Sequence, residues 1–215
     1  MDNEEDDLMI DHFDLIAPLY DRIIGPPDLA RLREALAVPP GGRVLDAGGG
    51  TGRVAVHLRD LGGEVVLLDR SLPMLRQARA RSLAALAGDV TRLPFPDATF
   101  DRVVVVDALH HFTRPAAAIG ELLRVLRPNG RLVIEEPDIR LGVVKLVALA
   151  ERLMLMDSTF YAPAEIVRMI EACGFPAYTV AGDRFAAWVI ATRDLRPAPG
   201  TPAPQSARQP ANSAG

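Results

Sequence analysis

Ten consecutive residues, Val44-Leu45-Asp46-Ala47-Gly48-Gly49-Gly50-Thr51-Gly52-Arg53, run from an apolar stretch through an acid into a glycine cluster. A glycine turn between a strand and a helix lets the backbone approach a ligand closely, and the helix start offers free N–H groups and a positive dipole end. Two more acids follow at long intervals. Asp69 stands 23 residues after Asp46, and Asp89 another 20 on. A carboxylate at a strand end can accept charge-assisted hydrogen bonds from a ligand, or simply cap its own loop. His110 and His111 form a tandem pair just after Asp107. Imidazoles titrate near neutrality and can act as general bases, and packing against the loop is the competing role.

Several chemistries are removed by what surrounds these residues. A dinucleotide-binding turn takes the form G-x-G-x-x-G. Here Arg53 occupies the third glycine's place, so the spacing is G-x-G-x-G. Short-chain hydride transfer requires a tyrosine four residues before its lysine, but the only lysine is Lys145 and position 141 is Leu. The single cysteine, Cys173, rules out a disulfide framework and a cysteine zinc site. It reads as a buried spacer before the helix-capping Gly174. His12 and His57 have no partners at metal-ligand spacing, so no metal site is expected.

The elements that must position these groups follow from periodicity. Arg43–Ala47, Glu64–Asp69, Asp101–Asp107 and Arg131–Glu136 are short, almost uniformly apolar runs, as expected for strands buried on both faces of a parallel sheet. Between them Gly52–Leu61, Leu72–Ser82 and Pro115–Leu126 read as helices, the last opened by proline and closed by Pro128-Asn129-Gly130. Alternating strands and helices predict a doubly wound α/β sheet. A helix over about 163–173 then precedes runs at Ala177–Ala181 and Phe185–Thr192. The turn between these runs is so short that they must pair antiparallel.

Length and charge bound the remainder. The 215 residues suit one domain, expected over 8–193. Residues 1–7 read as an acidic disordered head, and 194–215 as a Pro/Ala-rich disordered tail. Of the net charge of −4, the head carries −5 and the rest of the chain +1, so no basic field invites nucleic acid. The apolar stretch from Gly142 to Met156 is interrupted by Lys145, Glu151 and Arg152 and is too short for a transmembrane span. A soluble, cytoplasmic protein is expected. Nothing in the sequence specifies its oligomeric state.

Taken in order, the motifs resemble those of class I S-adenosylmethionine-dependent methyltransferases. The D-A-G-G-G-T-G-R segment is similar to their first motif. Leu93-Pro94-Phe95-Pro96-Asp97-Ala98-Thr99-Phe100-Asp101 resembles the L-P-F-x-D-x-S-F-D run of the type 11 branch, and Leu122–Leu132 resembles its later helix, turn and strand. His12-Phe13-Asp14-Leu15-Ile16-Ala17-Pro18-Leu19-Tyr20-Asp21 looks like the opening segment of the ubiquinone/menaquinone C-methyltransferases. The resemblance implies a Rossmann-like, mostly parallel seven-stranded sheet with a C-terminal antiparallel hairpin. It implies S-adenosyl-L-methionine as cofactor and S-adenosyl-L-homocysteine as product. The cofactor-binding residues would be Tyr20, Asp46, Gly48, Gly50, Gly52, Asp69, Arg70, Asp89, Val90 and Asp107. In that set Asp69 takes the ribose diol, Asp89 the adenine amino group and Tyr20 caps the cofactor.

The acceptor is less directly written. Departures from the quinone group, including Arg22-Ile23-Ile24 after the Tyr20-Asp21 pair and Asn129 for a glycine, keep quinol-type C-methylation an analogy. Residues 141–162 correspond to an acceptor-side insertion. Its Val, Leu and Met content suits a small, largely apolar or aromatic acceptor, or else a core helix. Phe160 and Tyr161 are placed to meet a ring. The expected activity is in-line methyl transfer to such an acceptor, a quinol-type ring carbon being one case, with His110 and His111 as candidate catalytic groups. The alternatives are O- or N-methylation of a secondary metabolite, or cofactor binding without turnover. Ala108 and Leu109 break the N/D-P-P-Y/F pattern of nucleic-acid base methyltransferases.

Overall fold

The computed structural model describes residues 28–60, 63–142, 144–145, 158–180 and 186–193. Seven strands form one sheet: β1 (Arg43–Ala47), β2 (Glu64–Asp69), β3 (Ala84–Ala87), β4 (Phe100–Val106), β5 (Leu126–Pro137), β6 (Ala177–Val180) and β7 (Ala186–Thr192). Their order is β3-β2-β1-β4-β5-β7-β6. Neighbouring strands among β1 to β5 run parallel, whereas β7 is antiparallel to both β5 and β6. This is the doubly wound sheet with an antiparallel hairpin that the sequence predicts. The strand order reverses between β1 and β4, so their carboxyl ends flank the switch-point crevice where ligands bind in such sheets.

Helices cover both faces. Leu45, Val103, Val105, Leu132 and Ile134 pack on one side with α4 (Pro115–Arg124) and α5 (Pro163–Ala172). Val44, Leu67, Val104, Val133 and Trp188 pack on the other with α1 (Leu29–Leu36), α2 (Ala55–Arg59) and α3 (Leu72–Ala80). Strand alternation explains the split, since odd and even positions of one strand leave on opposite faces. Arginines fasten the periphery. Arg131 Nη1 donates to Ala35 O at 2.6 Å and Arg102 Nη2 to Ala37 O at 2.7 Å, tying the end of α1 to the sheet. Arg124 holds the 93–97 loop through Phe95 O at 2.9 Å and Asp97 Oδ1 at 2.7 Å. That is a structural role for the L-P-F-x-D run.

Three expectations need correction. The first helix of the sheet begins at Ala55 rather than Gly52, because Gly50 and Gly52 take left-handed φ of 53° and 80° and hold the preceding residues in a turn. Pro128-Asn129-Gly130 lies inside β5 instead of ending a helix that reaches 126; α4 stops at Arg124. The strand absorbs the turn as an irregularity opposite Phe100 and Arg102, with Asn129 at φ 61° and its N–H bonded to Arg193 O at 2.7 Å. Strand β3 and helix α1 carry patterns too weak to single out. Cys173 is exposed, at the C-cap of α5. The acidic head, the Pro/Ala-rich tail, Tyr20 and residues 146–157 of the insertion lie outside the described residues. Among the described residues, no helix is long and apolar enough to cross a membrane.

Phe100 opens β4 with no exposed surface, its ring edge-on to Phe95 at 4.9 Å and under the Arg43 guanidinium at 5.5 Å. Phe100→Ala is expected to cost about 3–5 kcal/mol of folding stability, read from urea unfolding. A loss below 1 kcal/mol would mean that this end of the core collapses to fill the space.

Candidate active site

The glycine loop leaves β1 at its carboxyl end and is fixed by the end of β2. Gly48 N and Gly49 N both donate to Leu68 O, at 2.8 and 3.3 Å, and Gly50 N donates to Asp69 Oδ2 at 2.8 Å. Asp69 Oδ1 accepts from Ser71 N at 2.8 Å. A carboxylate oxygen has two lone pairs, so an oxygen that holds a backbone N–H can also accept from a ligand. Two glycines are obligatory for shape. A Cβ on Gly52 would lie 2.2 Å from Leu83 Cδ1, and one on Gly48 would lie 2.8 Å from Ala108 Cβ, where the β4 loop closes on the turn.

Across the crevice, Asp107 follows β4 with φ 51°, a left-handed conformation that a non-glycine residue adopts at a cost. Its Oδ2 accepts from Arg53 Nη2 at 2.9 Å, an ion pair joining the two sides of the switch point. Carboxylates gather around this guanidinium. Burial, then the neighbouring Asp69, raise Asp46 to about 7, while Arg53 pulls it down. Burial, then Asp107, raise Glu135 to about 8, again against Arg53. Burial also raises Asp107. Among the described residues, Asp46 Oδ2 and Glu135 Oε2 are buried without a hydrogen-bond partner. An acceptor-rich, solvent-shielded crevice of this kind favours a ligand that brings N–H groups and positive charge.

On the opposite face of β5, Glu136 is fully engaged. Its Oε1 accepts from Ala108 N at 3.0 Å and Leu109 N at 2.7 Å, and its Oε2 lies 2.6 Å from His110 Nδ1. One buried carboxylate thus sets the course of the 108–111 turn. His110 stacks on Phe160 with centroids 4.5 Å apart, and His110 O accepts from Thr159 N at 2.7 Å. His111 Nδ1 lies 3.1 Å from Ser158 Oγ; burial and the adjacent His110 lower its pKa to about 2, which keeps it neutral. Tyr161 packs against the same core face.

Among the residues expected to bind cofactor, Asp46, Gly48, Gly50, Gly52, Asp69 and Asp107 come together around the crevice. Asp89 and Val90 follow β3 at its rim; Asp89 Oδ1 accepts from Thr91 N and Thr91 Oγ1 at 2.7 and 2.8 Å, the local cap that was its alternative role. Arg70 is exposed beside Asp69. Arg53, Glu135 and Glu136 were not singled out from sequence. The only signal was two acids closing an apolar strand, which a solvated strand end would equally produce. Among the described residues, no group of histidine, cysteine or acidic side chains could hold a metal ion.

Residues 45–134 match the family described as the methyltransferase domain. This segment is similar to methyltransferase domains. Two curated relatives named demethylmenaquinone methyltransferase agree with it. The protein from Beutenbergia cavernae is 45% identical over 105 residues, covering 48% of this chain and 44% of its own. The one from Renibacterium salmoninarum is 39% identical over 133 residues, covering 58% and 56%. The chain therefore spans about half the length of these relatives. The crystal structure of a SAM-dependent methyltransferase from Thermotoga maritima superposes with a TM-score of 0.70 at 21% identity, over 85% of this chain and 98% of that one, which shows a common fold.

Two measurements probe the crevice and its support. A carboxyl group raised from 3.8 to about 7 on folding contributes stability fully present below pH 3.8 and lost as the pH rises through 7. Asp46→Asn removes that loss, so its stability relative to the parent should grow between pH 5 and pH 8 in urea titrations, buffers spanning roughly that range. Parallel pH profiles would contradict the burial assigned to Asp46. Glu136→Ala should cost about 3–5 kcal/mol, because it strands two backbone donors and His110. Glu136→Gln, which retains one acceptor oxygen, should cost less, both variants being read from urea unfolding.

Proposed function

We propose that the chain is an S-adenosylmethionine-dependent methyltransferase whose acceptor is small and largely apolar, with a quinol-type ring carbon as the preferred target. The reading is carried by one observation: the switch-point crevice joins the glycine turn and Asp69 to an unsatisfied buried acceptor on Asp46. These residues fit the cofactor chemically. Asp69 is a carboxylate at a strand end, the acceptor type a ribose diol needs, and the crevice's surplus of carboxylates suits an α-amino group and a sulfonium. Asp89 and Val90 at the end of β3 would meet the adenine, and Asp107 the far side of the crevice. Bound there, the cofactor supplies a methyl group already activated on positively charged sulfur.

What remains for the protein is alignment. Holding an acceptor in line can contribute effective molarities on the order of 10⁵ M. In this reading His110 is the acid–base group. Glu136 fixes its Nδ1 side and hence its tautomer, as a general base requires. His111, kept neutral, packs. The names of the relatives favour a quinone-type acceptor, and the nearly neutral chain beyond its first seven residues disfavours nucleic acid. A cytoplasmic location fits both.

Transfer of isotope-labelled methyl from S-adenosylmethionine to 1,4-naphthoquinol, with the product mapped by NMR, tests the proposal. Label on a ring carbon is the expected result. Label on oxygen would favour the O-methyltransferase alternative, and cofactor binding without transfer across a broad acceptor panel would favour a binding protein. Asp69→Ala should weaken calorimetric binding of S-adenosylhomocysteine by about 1.5–3 kcal/mol, the size of lost charged hydrogen bonds. Unchanged affinity would remove Asp69 from the cofactor.

A further inference from the structure

Successive residues of β5 do opposite things. Glu136 spends both oxygens on the 108–111 turn, whereas Glu135 leaves on the other face, in register with Val106 of β4 and Trp188 of β7. On that face two buried polar atoms lack partners: Glu135 Oε2, an acceptor, and Trp188 Nε1, a donor. Trp188 is 1% exposed. A buried group without a partner is costly, and two on cross-strand neighbours are rarely left so without a purpose. Because an indole N–H only donates and a carboxylate only accepts, a hydroxyl group satisfies both at once.

We propose that Glu135 and Trp188 form the polar anchor of the acceptor site, receiving one hydroxyl of the methyl acceptor. The hydroxyl donates to Glu135 Oε2 and accepts from Trp188 Nε1–H. This rests on the methyltransferase reading and deepens it: the anchor selects a hydroxylated acceptor over its oxidised carbonyl form. The position is consistent, since Glu135 adjoins the end of β4, where Asp107 flanks the crevice. Its electrostatic neighbours are Asp107 from the β4 end, Arg53 from the glycine turn, Asp28 capping α1, and Glu136. Burial and the three acids raise Glu135 to about 8, so the accepting carboxylate is the major form only above that pH, and hydroxyl binding weakens as the pH falls through it.

The test uses the full chain saturated with S-adenosylhomocysteine at roughly pH 9, where Glu135 is ionised, and two probes, anaerobic 1,4-naphthoquinol and 1,4-naphthoquinone, titrated by calorimetry. The parent should prefer the quinol about ten-fold, as expected for a hydrogen bond to a charged group. Glu135→Gln can donate to a carbonyl, so the preference should fall to unity or reverse, with S-adenosylhomocysteine kept saturating for each variant so that a change in its affinity does not enter the ratio. Trp188→Phe provides a second variant and should weaken quinol binding several-fold. Trp188 is the only tryptophan, so its emission should also shift on quinol binding to the parent. An unaltered quinol-to-quinone ratio in Glu135→Gln, or quinol binding with no change in Trp188 emission, would overturn the anchor and leave the pair hydrated by water only. Failure of the parent to bind S-adenosylhomocysteine would instead overturn the underlying functional reading, and the anchor with it.

Discussion

The site rests on an imbalance of charge. At the carboxyl edge of the sheet, Arg53 is the cation that offsets Asp46, Asp107 and Glu135, and burial penalises ionisation of all three acids. Such an arrangement is expensive for the isolated protein, because buried carboxylates without matched donors cost stability. It becomes favourable when a ligand supplies the missing N–H groups and positive charge. The strained backbone at Asp107 belongs to the same design: the Arg53 ion pair and the Glu135 carbonyl, which accepts Asp107 N–H at 3.1 Å, hold it there.

Parallel strands make this possible. All of β1, β2, β4 and β5 end on the same edge, so acids distant in sequence meet within one crevice. The period-two alternation of β5 then divides labour between neighbours. Glu136 is sacrificed to structure and becomes the anchor of the histidine turn, while Glu135 keeps an oxygen in reserve. A one-residue slip of β5 would exchange these environments, placing a needed ligand on the wrong face. The rigid apolar ladder of Val103–Val106 against Leu132–Glu135 fixes that register.

The tandem histidines illustrate how burial separates chemically identical groups. Adjacent in sequence and tilted at 3.9 Å between centroids, they differ in partner. His110 meets a carboxylate; His111 meets Ser158 Oγ and is pushed far toward neutrality. Sequence treats them as nearly equivalent candidates, and the fold does not.

The sequence by itself determined the sheet and singled out most of the residues that gather at its carboxyl edge. Uniformly apolar runs marked β1, β2 and β4, the 182–183 turn marked the hairpin, and the glycine cluster with Asp69 marked the crevice, because each signal is local and chemically distinctive. It could not mark β3, whose four residues Ala84–Ala87 become a strand only by pairing with β2, nor the end of α4, which β5 overrides. The roles of Arg53, Glu135 and Glu136 were decided only by tertiary structure. Which acid faces a backbone donor, which faces a guanidinium and which faces nothing depends on strand register and burial, and those arise only when strands tens of residues apart are laid side by side.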